Sequence, residues 1–366
     1  MLDPKTFVES TVNELRIKFG GMGRILAAVS GGVDSTTAAV LTYRALGNKV
    51  IPIMIDTGFM RLGECFKVRE MLKDLMPIEV IDRSELFYQR IEGLSDAEVK
   101  RKEFRNTFYQ VIGDIAKNLG CEYVVQGTIA PDWIETLGGI KTQHNVLSDE
   151  LLRKYGFKVI EPLRELYKDQ VRIVARYLGI PNAIINRQPF PGPGLLVRTV
   201  GVFTREKLSI LKQATEVVEK YLQGYNISQY FPAIWEYEVS ESGSICDGTC
   251  IQYKVFKVKA TGVKGDNRVY EPVILIDDLK GVEPYTAYKY FNDRASHVVW
   301  QIVDKGFGKY FISVRAVVTE DFMTASVFNA SKEVLEGLAE ELIKLDGVRA
   351  VGYDITPKPP ATIEYE

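Results

Sequence analysis

Histidine is almost missing from this 366-residue sequence: only His144 and His297 are present, which argues against a multi-histidine metal site. Cysteine is nearly as scarce. Cys65, Cys121, Cys246 and Cys250 do not suggest a disulfide scaffold, and the Cys246/Cys250 pair lacks the second pair that a structural zinc site uses. A loop feature is a plainer reading of that pair than zinc or redox chemistry. Long apolar runs are missing too. The longest uncharged stretch, Tyr221 to Trp235, contains Pro232 and several polar groups and falls short of the roughly 20 apolar residues a bilayer crossing takes. Neither sign of charge dominates, with Lys plus Arg at 46, Asp plus Glu at 48 and a net charge of −2. That balance argues against a general nucleic-acid binder, whose basic excess releases counterions from phosphates. Met1-Leu2-Asp3-Pro4-Lys5 carries no basic head leading into an apolar run, so no secretory signal and a cytoplasmic chain are expected.

What is abundant is core material. Hydrophobic residues at 46% and aromatics at 11% exclude a disordered chain. At roughly 100 to 200 residues per domain, about two domains are expected.

The first half alternates apolar strands with amphipathic helices. Asp3 to Phe19 has helical spacing, with Val8, Val12, Leu15 and Phe19 on one face and Gly20-Gly21 as the stop. Arg24 to Ser30, Ser35 to Leu46 and Lys49 to Ile55 then read as strand, helix and strand. Further apolar runs at Ile78 to Ile81 and Tyr123 to Gln126 extend the alternation, which predicts a parallel sheet covered on both faces. Three prolines and two glycines in Arg187 to Gly194 mark a boundary. Beyond it, a helix from about Thr204 to Tyr221 precedes a β-rich region in which Ile251, Tyr253 and Val255 alternate with polar residues. Phe256 and Val258 shift the apolar phase, as a bulge or strand end does. A helix over Lys332 to Lys344, a short strand and a Pro-rich tail complete an α+β pattern.

The most informative segment is Ser30-Gly31-Gly32-Val33-Asp34-Ser35-Thr36, set between a strand and a helix. Its glycines let the backbone turn sharply and approach a ligand, while N–H groups at the helix start and three hydroxyls can donate to phosphate oxygens. It lacks the lysine of a Walker loop and the glycine spacing of a dinucleotide fingerprint. An ordinary Gly-Gly turn, with Asp34 as a capping acid, is the alternative.

The Ser-Gly-Gly-Val-Asp-Ser run resembles the pyrophosphate loop of the N-type ATP pyrophosphatases. Members of that family cleave ATP between the α- and β-phosphates, adenylate an acceptor oxygen, and let nitrogen or sulfur displace AMP. The loop alone leaves the GMP, NAD, asparagine and argininosuccinate synthetases and tRNA-modifying enzymes open. Ile55 to Arg61, Lys100-Arg101-Lys102, Gln126 to Glu135, Lys141 to Val146, Arg187 to Leu195, Arg315 to Ala325 and Lys358 to Glu366 resemble segments of the GMP synthetase branch. Thr57 and Tyr365 depart from its usual Asn and Trp.

The resemblance implies an adenine nucleotide alpha hydrolase-like α/β fold over residues 1–189, a parallel sheet with helices on both faces. It further implies an α+β domain over 190–366 that binds xanthosine monophosphate (XMP) and forms a homodimer, with insertions around 236–262 and 271–310. The implied reaction is amination of XMP to GMP through an adenylyl intermediate, using ATP and Mg²⁺. Ser30, Gly31, Gly32, Val33, Asp34, Ser35 and Thr36 would hold pyrophosphate, and Asp34 and Asp132 the metal. Lys141 would serve adenylyl transfer within a lid formed by Lys141, Thr142, Gln143, His144 and Asn145, and Arg101, Lys358 and Glu364 would bind XMP. Without the resemblance, Lys100 to Lys102 read as a solvated helix face and Lys358 to Glu366 as a frayed tail.

The loop begins at Ser30, which leaves no room ahead of it for the glutaminase domain of single-chain members. A separate glutaminase subunit is therefore the expected ammonia source. Two other readings compete: a tRNA-thiolating pyrophosphatase, which needs reactive cysteines and a basic surface, and a non-catalytic adenine-nucleotide-binding module.

Overall fold

The computed structural model of the chain describes residues 2–131, 156–247, 249–265, 267–279, 281–320 and 323–366. Its contacts divide it into two units, Met1–Gln89 with Phe104–Gly192, and Arg90–Glu103 with Pro193–Glu366.

In the first unit α1 (Pro4–Phe19) begins where the Asp3 carboxylate accepts the Thr6 N–H at 3.0 Å, and Pro4 occupies a first-turn position that needs no N–H. Val8, Val12 and Leu15 are the buried face, as the spacing predicts. β1 (Arg24–Ala28), α2 (Val33–Leu46), β2 (Val50–Asp56), α3 (Glu64–Leu72) and β3 (Glu79–Asp82) follow. Next come α4 (Ser84–Ile91), α5 (Ala97–Asn118), β4 (Cys121–Val125), β5 (Lys158–Ile160), α6 (Lys168–Tyr177) and α7 (Asn182–Ile185). The five strands form one parallel sheet in the order β3-β2-β1-β4-β5. Successive residues Ile25, Leu26 and Ala27 of β1 are all at 0% exposure, so both faces of the central strand are covered.

The order matters for function. From β1 the chain winds to β2 and β3 on one side, then returns to β4 and β5 on the other, so the winding reverses between β1 and β4. In open parallel sheets, ligands bind beyond the carboxyl ends of the strands at such a reversal.

The second unit is α+β. Its helices are α8 (Arg205–Leu222), capped by Thr204, and α9 (Lys332–Leu342), capped by Ser331. Its strands are β6 (Gln229–Glu236), β7 (Val239–Asp247), β8 (Thr249–Lys264), β9 (Asn267–Asp278), β10 (His297–Asp304), β11 (Tyr310–Val318), β12 (Ser326–Val327) and β13 (Val348–Asp354). They form an eight-stranded mixed sheet, β12-β11-β13-β10-β9-β8-β7 with β6 also on β11. Among the described strands of this sheet, the β9/β10 and β11/β13 pairs are parallel and the others antiparallel. The segments expected to be insertions contribute β7, β8, β9 and β10, which widen this sheet. The change of apolar phase at Phe256 coincides with a register shift between Val255 and Lys259 in the β8/β9 pairing.

Cys246 and Cys250 oppose each other across β7 and β8 and are joined as a disulfide, where the spacing suggested a loop feature and no disulfide scaffold. The strand pairing, invisible in the spacing, brings them together.

One core of the sheet is aromatic: Trp235 stacks on Phe311 at 5.1 Å and meets Tyr365 at 5.5 Å between ring centroids. Tyr365 belongs to the tail after β13, which bridges to the fold at Ala325/Lys358 and Gly262/Ala361. Ala361 and Tyr365 are fully buried and Glu366 nearly so, which excludes a frayed tail. Among the described residues no helix is long and apolar enough to cross a membrane.

Candidate active site

The Gly-rich loop sits at the carboxyl end of β1, beside the reversal of winding. Gly31 turns the chain at φ 80°, a conformation that a side chain at this position would strain. A Cβ there would also press on Val68, Arg187 and Glu64. Gly32 starts α2 with no side-chain cap, and the N–H groups of the first turn have no carbonyl of their own helix to bond. These donors and the positive end of the helix are features that favour an anion.

The three hydroxyls divide their work. Ser30 and Ser35 hydrogen-bond each other at 2.7 Å, and the Ser30 N–H donates to Ser35 Oγ at 3.1 Å, which closes the loop on itself. Thr36 Oγ1 is buried with no hydrogen-bond partner among the described residues.

After β4, on the other side of the reversal, Gln126-Gly127-Thr128 runs against the start of α2. A Cβ on Gly127 would lie 2.6 Å from the Ser35 nitrogen and 2.7 Å from the Asp34 carbonyl carbon. Only glycine permits so close a backbone approach. Thr128, fully buried, presents a second hydroxyl oxygen with no hydrogen-bond partner among the described residues.

Asp34 lies in the first turn of α2. Its Oδ2 pairs with Lys168 of α6, while Oδ1 is buried and has no hydrogen-bond partner among the described residues. A hard oxygen acceptor beside the N–H groups of the loop has the chemistry that suits Mg²⁺, which is commonly held by one or two carboxylates and the substrate's own phosphates. Among the described residues no cluster of three or more His, Cys, Asp or Glu could hold a metal by itself. Asp132, Lys141, Thr142, Gln143, His144 and Asn145 lie outside the described residues.

A buttress stands behind the loop. Glu64, 3% exposed, accepts from Arg187 at 2.5 and 2.8 Å, and Arg61 lies 3.7 Å from the same carboxylate. Arg187 also approaches the Gly31 carbonyl at 3.5 Å, tying the loop to the chain just before the boundary segment. The Arg61 guanidinium sits 4.1 Å from the centre of the Phe190 ring. Glu64 and Lys168 carry these contacts without an advance signal of their own, whereas Thr128 lies in the Gln126 to Glu135 segment that the resemblance singled out. Glu64 follows the Ile55 to Arg61 segment by three residues, and Lys168 opens a helix whose place beside α2 is set by the fold.

In the second unit, Arg101 is mostly buried and lies 3.5 Å from Glu98, whose carboxylate also receives Arg268 and Tyr270. Burial lowers the Arg101 pKa, and the neighbouring Arg268 adds to that. Glu364 is held bidentately by Arg198 at 2.9 and 2.8 Å, and Gln229 donates to it at 3.0 Å. Lys358 exchanges two backbone hydrogen bonds with Ala325 at 3.0 and 2.9 Å. Lys100 is 1% exposed and Arg101 partly buried, while Lys102 is exposed, so only the last of the three lies on a solvated face.

The thiols of Cys65 and Cys121 are buried, and burial pushes the Cys121 thiol further up. Neither is placed as an accessible nucleophile, which counts against thiolation chemistry.

A family model described as the GMP synthase C terminal domain matches residues 295–365. Over its whole length the chain is similar to a protein of Sulfurisphaera tokodaii described as one subunit of a glutamine-hydrolyzing GMP synthase, at 51% identity over 370 residues covering 100% of this chain and 99% of that protein. The protein of the same description from Archaeoglobus fulgidus is 40% identical over 367 residues, with 100% of both chains covered. Among solved structures, NMN synthetase from Francisella tularensis matches with a TM-score of 0.41 at 18% identity, covering 57% of this chain and 85% of that one.

Proposed function

The chain belongs to the family of GMP synthase subunits that its full-length relatives represent, and from that premise we propose that it converts XMP to GMP with ATP and ammonia. The oxygen on C2 of the purine is a poor leaving group. In the proposed reaction it attacks the α-phosphorus of ATP, the bond between the α- and β-phosphates breaks, and pyrophosphate departs. Ammonia then attacks C2 and AMP leaves, carrying that oxygen away. The observation that carries the ATP half is the meeting of Gly127 with the start of α2 at the reversal of winding, beside the Asp34 Oδ1 that has no hydrogen-bond partner among the described residues.

We assign the pyrophosphate to the loop Ser30 to Thr36, whose N–H groups face charge where it develops. Asp34, with Asp132, would hold Mg²⁺, which supplies neutralisation of the phosphate oxygens when bound. Lys141 would stabilise adenylyl transfer, and the segment from Thr142 to Asn145 would keep water from the intermediate. Arg101 and Lys358 suit the XMP phosphate and Glu364 the purine N–H groups. Glu364 would do so while Arg198 and Gln229 fix its orientation. A homodimer through the second unit and a place in the cytoplasm complete the reading.

The ammonia is proposed to come from a separate glutaminase, in keeping with relatives that match the chain end to end and are described as one subunit of a glutamine-hydrolyzing enzyme. The purified chain is expected to form GMP, AMP and pyrophosphate from XMP, ATP, Mg²⁺ and ammonium, and to use glutamine only once a glutaminase is added. Coupled AMP detection with and without that second protein checks this. Equal turnover on glutamine alone would contradict the division of labour.

A further inference from the structure

Three segments of the second unit meet at one buried ion pair. Lys100 and Glu366 have side chains 1% and 3% exposed, and Lys100 Nζ lies against Glu366 Oε2. Lys100 also donates to the carbonyls of Thr199 and Gly201, at 2.9 and 2.8 Å. The Gly201 N–H in turn donates to Glu366 Oε1 at 2.9 Å. The contacts therefore close a triangle between the first turn of α5, the turn at 199–201 and the end of the tail.

Each corner is next to a residue assigned above to XMP, or to its holder. Arg101 follows Lys100, Arg198 precedes Thr199, and Glu364, gripped by Arg198, lies two residues before Glu366. Lys207, fully buried, fixes the same turn by donating to the Val200 carbonyl and to Glu236, both at 3.0 Å.

A buried ion pair is seldom worth more to stability than well-packed apolar residues of the same volume, because taking both charges out of water costs about what their attraction returns. It does fix direction and distance, which apolar contacts leave loose. We propose that Lys100 and Glu366 are positioning residues for XMP: touching no substrate themselves, they hold the turn carrying Arg101 and the tail carrying Lys358 and Glu364 in one fixed relation. The XMP site is then built before the substrate arrives. This inference rests on the assignment of Arg101 and Glu364 to XMP.

The test replaces the pair with apolar residues, Lys100→Met with Glu366→Leu, in the full chain, and measures KM for XMP and for ATP beside the melting temperature. The pair as a positioning device predicts a folded protein with XMP KM raised about tenfold, since looseness of about 1 Å at a binding site is costly. ATP KM should stay within about twofold of the parent, as ATP is bound by the other unit's loop. Glu366→Gln, which keeps a bond to Gly201, should raise XMP KM by a smaller step, about threefold, and serves alone if the double variant fails to fold. Unchanged XMP KM overturns the proposal, and so does a rise in both KM values that tracks a fall in melting temperature. Arg101→Met separates the two layers of the argument. If it raises XMP KM while the pair variants do not, positioning is wrong and the XMP site stands; if it has no effect, the XMP assignment itself fails.

Discussion

Asp34→Asn is expected to lower the rate of AMP formation by about 100- to 1000-fold, the usual cost of removing one preorganised electrostatic element from a transition state. Asparagine keeps the size of the side chain and suits a helix N-terminus, so α2 should form as before. What is lost is the negative charge: one carboxylate oxygen becomes an NH2 donor and the other a neutral amide oxygen, a weaker partner for a cation at the place where Oδ1 has no hydrogen-bond partner among the described residues. The ion pair to Lys168 is lost as well, but that pair is partly exposed and worth only about 1 kcal/mol or less. Steady-state turnover at saturating ATP, XMP, Mg²⁺ and ammonium, set beside a melting curve, separates the two effects. A large fall in rate with melting changed by only a few degrees supports a cation and phosphate role. Parent-like turnover would reduce Asp34 to a helix-starting acid.

Arg315→Met should cost the second unit about 3 to 5 kcal/mol, the range for stranding one partner of a buried charge pair. Arg315 is at 0% exposure and donates to the carbonyls of Ile363, Thr356 and Thr362 at 2.9, 2.9 and 2.8 Å. It also pairs with Asp354 at 2.9 Å, and His297 and Tyr365 reach the same carboxylate at 2.6 and 2.7 Å. Burial alone would raise the Asp354 carboxyl. Arg315, His297 and Tyr365 overcome that and hold it well below the usual carboxylate range. A carboxyl depressed by folding stabilises the protein above its ordinary pKa, near 3.8, and that contribution drains away as pH falls below it. The variant should therefore unfold at lower urea than the parent at neutral pH, and the gap should narrow in acid. Equal urea midpoints at neutral pH would mean that Arg315 adds nothing to the hold on the tail beyond its other contacts.

This second result bears on how far the sequence could be read. Apart from its resemblance to the GMP synthetase branch, the Pro-rich, charged run Lys358 to Glu366 is indistinguishable from a loose end until Lys100, Arg198 and Arg315 are placed around it. Those partners lie far away in the chain, and no periodicity connects them. The ATP half was more legible because its signals are local. Helical spacing and Asp3 marked α1, β-branched runs marked β1 and β2, and Gly-Gly with hydroxyls marked the loop. The helix after the loop starts at Val33 and not at Ser35, since Gly32 serves as the cap and the loop's last residues are already helical. Glu64 and Lys168 escaped because their meaning is a contact across the fold, and Arg187, though it opens a segment that resembles the GMP synthetase branch, shows its pairing with Glu64 only there. In the second unit, alternation at Ile251, Tyr253 and Val255 and its break at Phe256 were visible, whereas the strand pairing that joins Cys246 to Cys250 was not.

The most direct measurement uses XMP carrying a heavy-oxygen label at the C2 oxygen, incubated with the purified chain, ATP, Mg²⁺ and ammonium. Mass spectrometry then follows the label. If the chain adenylates that oxygen and ammonia displaces it, GMP forms and the label appears in AMP. GMP formation with unlabelled AMP, or AMP released without any conversion of XMP, would contradict the account.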